Sequence, residues 1–206
     1  MKNSLNIIAL IIMLIMTDCK KEQKYYALPQ DFLEWVYFKN GSYWIYLNEK
    51  VGTSDSCYIL YYPMIASLIN EPYNYKYDGI STGFISSFLQ GSLIVSTPDF
   101  SYADFFTQKG GRSLSIRTDT YIGQQVEFLD ALYEKVAVFD TLTLNNTIYR
   151  NVIYTRVAFP SSYTKSSHDS IIRKYYFAKN VGLIKYEIQE SNTDSTWSLM
   201  RYNIIQ

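Results

Sequence analysis

The sequence has one histidine and two cysteines among its 206 residues, and these small numbers exclude several kinds of site. A metal or catalytic site built from several imidazoles cannot form within one chain. A Ser-His-acid triad would have to use His168, but there is no Gly-x-Ser-x-Gly motif to supply the nucleophile. Gly110-Gly111 lacks the lysine and helix start of a phosphate-binding loop. We therefore predict no catalytic residue, no metal ligand and no cofactor.

The chain also lacks an excess of charge of either sign, since it contains 19 Lys plus Arg and 19 Asp plus Glu. It therefore has no basic field that would attract the phosphates of nucleic acid or an anionic membrane surface. We predict that nucleic acid is not a partner of this protein.

The longest uninterrupted apolar run, residues 7–16, is too short for a membrane-spanning helix, which needs about 20 apolar residues. It follows Lys2 and precedes a strongly polar stretch, which is the pattern of a signal peptide. Met16-Thr17-Asp18-Cys19 then resembles the lipobox of bacterial lipoproteins, in which the signal is cut before an acylated cysteine. Asp18 departs from the small residue usual there, and a plain secretory signal cut elsewhere is the alternative. We predict a lipoprotein signal peptide over residues 1–18 and lipid attachment at Cys19.

The polar segment after Cys19 has too little apolar content to fold, so we predict a flexible tether over residues 19–28. Its lysines and acid resemble the export signals of surface-displayed lipoproteins in one branch of Gram-negative bacteria, and a plain solvated linker explains them equally well. Acyl chains such as palmitate would anchor the domain to a membrane. We expect a lipid-anchored protein of the cell envelope, at the periplasmic or surface face of the outer membrane.

Acylation of Cys19 would leave Cys57 without an intramolecular partner, so we expect no structural disulfide. Cys57 lies in a stretch rich in strand-forming residues. A free cysteine in such a stretch usually behaves as a small buried apolar residue. We predict that burial, rather than thiol chemistry, explains Cys57.

Aromatic residues form 17% of the chain, and 21 of them are tyrosines, a residue that favours half-buried pleated surfaces. We predict a mainly β domain over residues 29–206. Its expected form is a single antiparallel, strongly curved sheet or incomplete barrel, with a two-layer sandwich as the alternative and at most one or two short helices.

Local patterns place the elements of this domain. They predict a helical turn at 31–35, a hairpin of 36–38 with 42–47 around Asn40-Gly41, and a strand over 56–62. Residues 63–72 have the pattern of a loop or one helical turn, and residues 125–135 form the best helix candidate, although 136–139 is strand-like. The last third reads as strands at 141–144, 148–159, 171–178, 183–189 and 196–205, of which the last three form an antiparallel meander.

Three motifs resemble those of a group of Gram-negative lipoproteins without an established activity. They are Gly41-Ser42-Tyr43-Trp44-Ile45-Tyr46, Val181-Gly182-Leu183-Ile184-Lys185 and Trp197-Ser198-Leu199. The resemblance covers both ends of the domain and implies a framework, but no catalytic residue. We expect Trp44 and Trp197 to anchor the core, and Gly182 to need a backbone conformation that other residues disfavour.

Acidic residues near hydroxyl side chains offer a weaker signal. Asp55, Asp78, Asp140 and Asp194 have the sequence context of turn residues. The triads Asp140-Thr141-Leu142, Asp169-Ser170-Ile171 and Asp194-Ser195-Thr196 also resemble periplasmic O-glycosylation acceptors, although turn chemistry explains them as well.

Three functions fit these observations. The first is a non-enzymatic lipoprotein that binds another envelope protein or a glycan, for which we expect an exposed aromatic patch without a cleft. The second is a lipid- or lipoprotein-handling half-barrel, for which we expect an apolar cavity lined by the inward faces of the strands. The third is an envelope hydrolase, for which we expect carboxylates that converge in a cleft.

Overall fold

A computed structural model of the chain describes residues 24–27, 30–59, 64–70, 75–85, 91–96, 102–107, 113–117, 122–128, 131–159, 171–190 and 193–205. The signal peptide, Cys19, His168 and Asp169-Ser170 lie outside these residues. Within them, no helix combines the length and the apolar character needed to cross a membrane.

The described elements are one helix and a series of strands. The helix α1 spans Gln30–Val36. The strands are β1 Lys24–Tyr26, β2 Tyr43–Asn48, β3 Ser54–Ile59, β4 Met64–Asn70, β5 Tyr75–Ile85, β6 Gly91–Ser96, β7 Tyr102–Thr107, β8 Ser113–Arg117, β9 Gln125–Phe128, β10 Ala131–Leu144, β11 Thr147–Phe159, β12 Ile171–Ala178, β13 Gly182–Glu190 and β14 Thr193–Asn203.

The strands belong to one sheet with the order β8-β7-β6-β5-β3-β2-β14-β13-β12-β11-β10-β9, and β1 and β4 pair with β5 beside this path. All described pairs are antiparallel except β1 with β5. The described core residues lie on α1 and the segment that follows it, and on the seven consecutive strands from β3 to β10 in this order. The sheet is not closed, so the prediction of a mainly β fold with a single antiparallel, incompletely closed sheet is confirmed.

The sheet curves strongly at β2. The indole Nε1 of Trp44 donates a hydrogen bond to the carbonyl of Val181 at 2.6 Å, and the Tyr46 hydroxyl donates to the carbonyl of Leu183 at 2.9 Å. In the strand order β14 lies between β2 and β13, and side chains stand roughly perpendicular to a flat sheet. Side chains of β2 can therefore reach the backbone at the start of β13 only because the sheet folds over its own inner face.

The hydrogen-bonded partners of β14 change along its length. Registered pairs with β13 run from Glu190↔Thr193 to Lys185↔Ser198, whereas pairs with β2 continue to Asn203. Beyond Ser198, β13 thus separates from β14. The tip of the β10–β11 hairpin contacts β14 just beyond this point, where Asn145 Nδ2 donates a hydrogen bond to the carbonyl of Leu199 at 3.2 Å.

The helix α1 is held by packing rather than by its own length, because a helix this short is unstable alone in water. Phe32, Trp35 and Val36 are buried in the core. The backbone N–H of Asn180 donates to the carbonyl of Glu34 at 2.7 Å, and Lys179 Nζ lies 2.7 Å from a Glu34 carboxylate oxygen. The predicted helical turn is therefore confirmed, and the predicted strand at 36–38 is wrong because Val36 ends the helix.

Several local predictions are wrong for the same physical reason, namely that pairing decided the conformation. Residues 64–70 form β4 rather than a loop or one helical turn. The helix candidate at 125–135 contains β9 and the beginning of β10, because both strands pair with neighbours that the helical spacing does not reveal. Asp55, Asp78, Asp140 and Asp194 lie within strands, not in turns.

The tether prediction is corrected at its C-terminal end. Lys24–Tyr26 form β1, which pairs in parallel with Tyr75 to Tyr77 of β5. The predicted domain start at residue 29 therefore excludes three residues that belong to the sheet. The rest of the predicted tether before Lys24 lies outside the described residues.

Candidate binding groove

The framework residues singled out in the sequence take the places expected of them. Trp44 is buried, and Trp197 is half-buried against the core. Gly182 has a φ of +90°, in the region that favours glycine. Cys57 is free and buried, and this burial raises the pKa of its thiol far above the ordinary range, with the negative charge of Asp55 as a smaller cause. The prediction of Cys57 as a small buried apolar residue is confirmed.

Glu187 is the described carboxylate with the clearest electrostatic environment, and that environment is not the one a general acid of a hydrolase needs. Glu187 lies 2.9 Å from Lys185 Nζ and 3.3 Å from Lys174 Nζ. Burial raises the pKa of Glu187. The hydrogen bond and charge of Lys185, together with the charge of Lys174, lower this pKa by more than burial raises it, so the net shift is downward. A general acid needs the opposite shift. Among the described residues, no group of three His, Cys, Asp or Glu could hold a metal ion either.

The inner face of the curved sheet is filled by side chains. Tyr46, Tyr175 and Phe177 are at most 2% exposed, and the rings of Tyr175 and Tyr186 stack at 5.7 Å across β12 and β13. Large aromatic side chains thus occupy the space in which a half-barrel would hold a lipid. This part of the structure gives no support to the expected apolar cavity.

The outer face over β11, β12 and β13 carries a polar array. The rings of Tyr154 and Tyr176 stack at 4.6 Å with planes 5° apart, and Lys185 Nζ lies 5.5 Å from the Tyr176 ring centre. Burial raises the pKa of Tyr154 to about 12, with the neighbouring Tyr176 as the next cause. The ring faces turned toward each other are unavailable to a ligand. Because its cations and anions are paired, we interpret this array as a solvated and ion-paired sheet face.

Next to this array, β2 and β14 form a groove with an aliphatic floor. The groove has a volume of about 640 Å³ and is lined by Ile45, Leu47, Met200, Arg201 and Asn145. Along β2 the burial pattern alternates, so that Ile45 and Leu47 lie on the face opposite to the buried Trp44 and Tyr46. This period of two is what a strand imposes on successive side chains. The same strand therefore supplies both the core and the groove floor.

A β-bulge completes the floor. The register of β14 against β2 shifts between Leu199 and Arg201, which leaves Met200 as an extra residue without a partner on β2. A bulge redirects the side chain at its position. Met200 is accordingly 52% exposed, although it lies in the middle of a paired strand.

The rim of the groove is polar. The guanidinium of Arg201 lies 5.9 Å from the centre of the Tyr43 ring, which fixes a cation beside the aliphatic floor. Opposite, Asn145 and Asn146 have φ values of +49° and +61° and form the tip of the β10–β11 hairpin. The sequence predicted this turn correctly. It did not predict that the amide of Asn145 would meet the backbone of β14.

No residue of this groove is recognisable as a site from the sequence alone. The sequence feature that could have indicated the groove is the unbroken apolar run Tyr43-Trp44-Ile45-Tyr46-Leu47, in which both faces of one strand are apolar. In an antiparallel sheet with one solvated face, the second face is usually polar. An apolar second face therefore predicts a further contact, but not the strand that lies beside it.

Comparisons with known proteins add little to this geometry. No family model matches the chain, and no curated protein matches its sequence. One distant structural similarity is found, to a protein of Parabacteroides distasonis described as a "putative lipoprotein", with 12% identity and a TM-score of 0.38. It covers 82% of this chain and 98% of that chain. This similarity is too low to support an inference about function, and the resemblance to a specific lipoprotein group stays a prediction.

Proposed function

We propose that the chain is a non-enzymatic lipoprotein, anchored to the outer membrane, whose β domain binds another envelope protein through the groove between β2 and β14. The observation that carries this proposal is the open groove with the aliphatic floor Ile45, Leu47 and Met200 and the cationic rim residue Arg201. Methionine and arginine are enriched at protein interfaces, whereas lysine and the acids are depleted there.

The shape of the groove favours a protein over a small ligand. A small-molecule site buries most of its ligand's surface, whereas this groove is open and half of the Met200 side chain is exposed. A glycan would be expected to stack on an aromatic ring face, but none of the residues that the structure describes as lining the groove is aromatic, and the Tyr43 ring has the Arg201 guanidinium over it. A lipid ligand would need the space that aromatic side chains fill on the inner face.

The proposed anchor rests on the sequence. Residues 7–16 would direct export, and acyl chains on Cys19 would hold the domain at the membrane, with about 0.8 kcal/mol for each buried methylene group. The groove would then meet partners within reach of the tether. Metabolic labelling with an alkynyl fatty acid tests this part: the natural chain is expected to be labelled and Cys19→Ser is not. Equal labelling of both would contradict the anchor.

Site-directed photocrosslinking in intact cells tests the binding function. A photoreactive amino acid at position 200 is expected to capture one envelope protein, identified by mass spectrometry. The matched control carries the same amino acid at position 122, where Ile122 is similarly exposed but lies outside the groove. Capture of the same proteins with equal yield at both positions would show that the groove is not a specific binding surface.

A further inference from the structure

We infer that the groove recognises an extended segment of its partner protein in which an acidic residue lies next to an aliphatic one. This inference deepens the proposed function and rests on it. It depends on three features of the groove: a cation with no ion pair among the described residues, an aliphatic floor and a hydrogen-bonding group at the rim.

The cation is Arg201. It is the one charged residue that lines the groove, and within the described part of the chain it forms no ion pair. The nearby array behaves differently, because there Lys174, Lys185 and Arg156 each lie within 4 Å of a carboxylate. An arginine held in place over an aromatic ring presents a planar fork of donors that fits a carboxylate.

The aliphatic floor of the groove determines which chemical group must lie next to the carboxylate in the ligand. Ile45 and Leu47 follow each other on one face of β2, and Met200 rises from the bulge of β14 beside them. Branched and unbranched aliphatic groups without a polar atom favour an aliphatic side chain over a sugar or a charged group. Because the floor continues directly to Arg201, a carboxylate and an aliphatic group would have to be neighbours along the ligand.

The rim favours a peptide over another carboxylate ligand. Asn145 uses its Nδ2 to bind the carbonyl of Leu199, which leaves its Oδ1 as an acceptor. A peptide backbone offers N–H groups at every residue other than proline, whereas a fatty acid has the carboxylate and aliphatic chain but no donor. The groove is also open, so a segment can enter and leave it as part of a longer chain.

The experiment compares the position-200 crosslink in the natural chain, Arg201→Glu, Arg201→Lys and the control Arg150→Glu. Arg150 is also an exposed arginine, on β11, and does not line the groove. We expect a crosslink yield about tenfold lower in Arg201→Glu, a smaller loss in Arg201→Lys and no loss in Arg150→Glu. The captured segment is expected to contain an aspartate or glutamate beside an aliphatic residue, and its change to lysine is expected to restore capture by Arg201→Glu.

The outcomes separate this inference from the proposed function. If no envelope protein is captured at position 200 above the control position, both fail. If a protein is captured equally by the natural chain and Arg201→Glu, the binding function stands and the inference about the acidic segment is wrong. If native mass spectrometry of the purified protein shows a fatty acid whose binding is lost in Arg201→Glu, the carboxylate belongs to a lipid and the inference is likewise overturned.

Discussion

Gly182 provides the sharpest test of how β13 packs on β2. A Cβ atom added at Gly182 would lie 3.2 Å from two atoms of the Phe38 ring and 3.6 Å from the Trp44 indole nitrogen. The ring of Phe38 in turn packs edge-on against Trp44 at 5.1 Å. We therefore predict that Gly182→Ala disturbs the contact through which Trp44 binds the carbonyl of Val181.

The matched control is Gly52→Ala. Gly52 also has a positive φ, +72° against +90° for Gly182, but a Cβ there would meet no atom within 4 Å. Both substitutions carry the backbone cost of a left-handed residue, about 1–2 kcal/mol. Only Gly182→Ala adds the cost of overpacking, about 1–3 kcal/mol. We expect the free energies of unfolding to differ by about 2 kcal/mol between the two variants.

Urea unfolding followed by circular dichroism measures this difference. At about 2–4 °C for each kcal/mol in a domain of this size, Gly182→Ala should also melt about 4–8 °C below Gly52→Ala. The slope of the free energy against urea concentration should be unchanged, since neither substitution alters the surface exposed on unfolding. Equal stability of the two variants, within about 0.5 kcal/mol, would refute the close approach of β13 to Phe38.

Three further predictions follow from the buried polar groups. Tyr46→Phe removes the hydroxyl that binds the carbonyl of Leu183 and should lower the free energy of unfolding by about 1–3 kcal/mol in urea titrations, and a loss below about 0.5 kcal/mol would argue against that bond. Glu187→Gln should lower the free energy of unfolding at pH 7, and its difference from the natural protein should narrow as the pH falls below about 4. The lowered folded-state pKa of Glu187 stabilises the protein above the unfolded-state pKa, and this stabilisation is lost as the pH falls through the folded-state pKa. A difference that is constant with pH would contradict the ion pairs. Cys57 should react with a thiol reagent at pH 8 at least about 100-fold more slowly than a free cysteine until urea unfolds the chain, because burial raises its pKa, and rapid native-state labelling would contradict its burial.

The sequence predicted elements well where local signals agree with pairing. The hairpin around Asn145-Asn146 and the meander β12-β13-β14 combine alternating apolar residues with turns whose residues tolerate positive φ. Residues 125–135 show the opposite case, because apolar residues there fit a helical spacing while their backbones pair with β10 and β11. These partners are neighbouring strands along the chain, but the spacing of the apolar residues fits a helix as well and does not show that the backbones pair.

The groove could not be predicted from the sequence for a related reason. Ile45 and Met200 come from opposite ends of the domain and meet only because β2 pairs with β14. The exposure of Met200 depends on a bulge, and the rim depends on where the tip of a separate hairpin ends. The apolar character of both faces of β2 was visible in the sequence, but its partner strand was not.

The pairing of β2 with β14 also governs when this protein can fold. The backbone N–H of Ile205 donates to the Ser42 hydroxyl across 163 residues of chain, and the N–H of Lys39 donates to the carbonyl of Ile205. Contacts this distant in sequence make folding slow, because the loop must close before they form. The centre of the sheet thus remains incomplete until the segment around Ile205 is available to pair with the segment around Ser42.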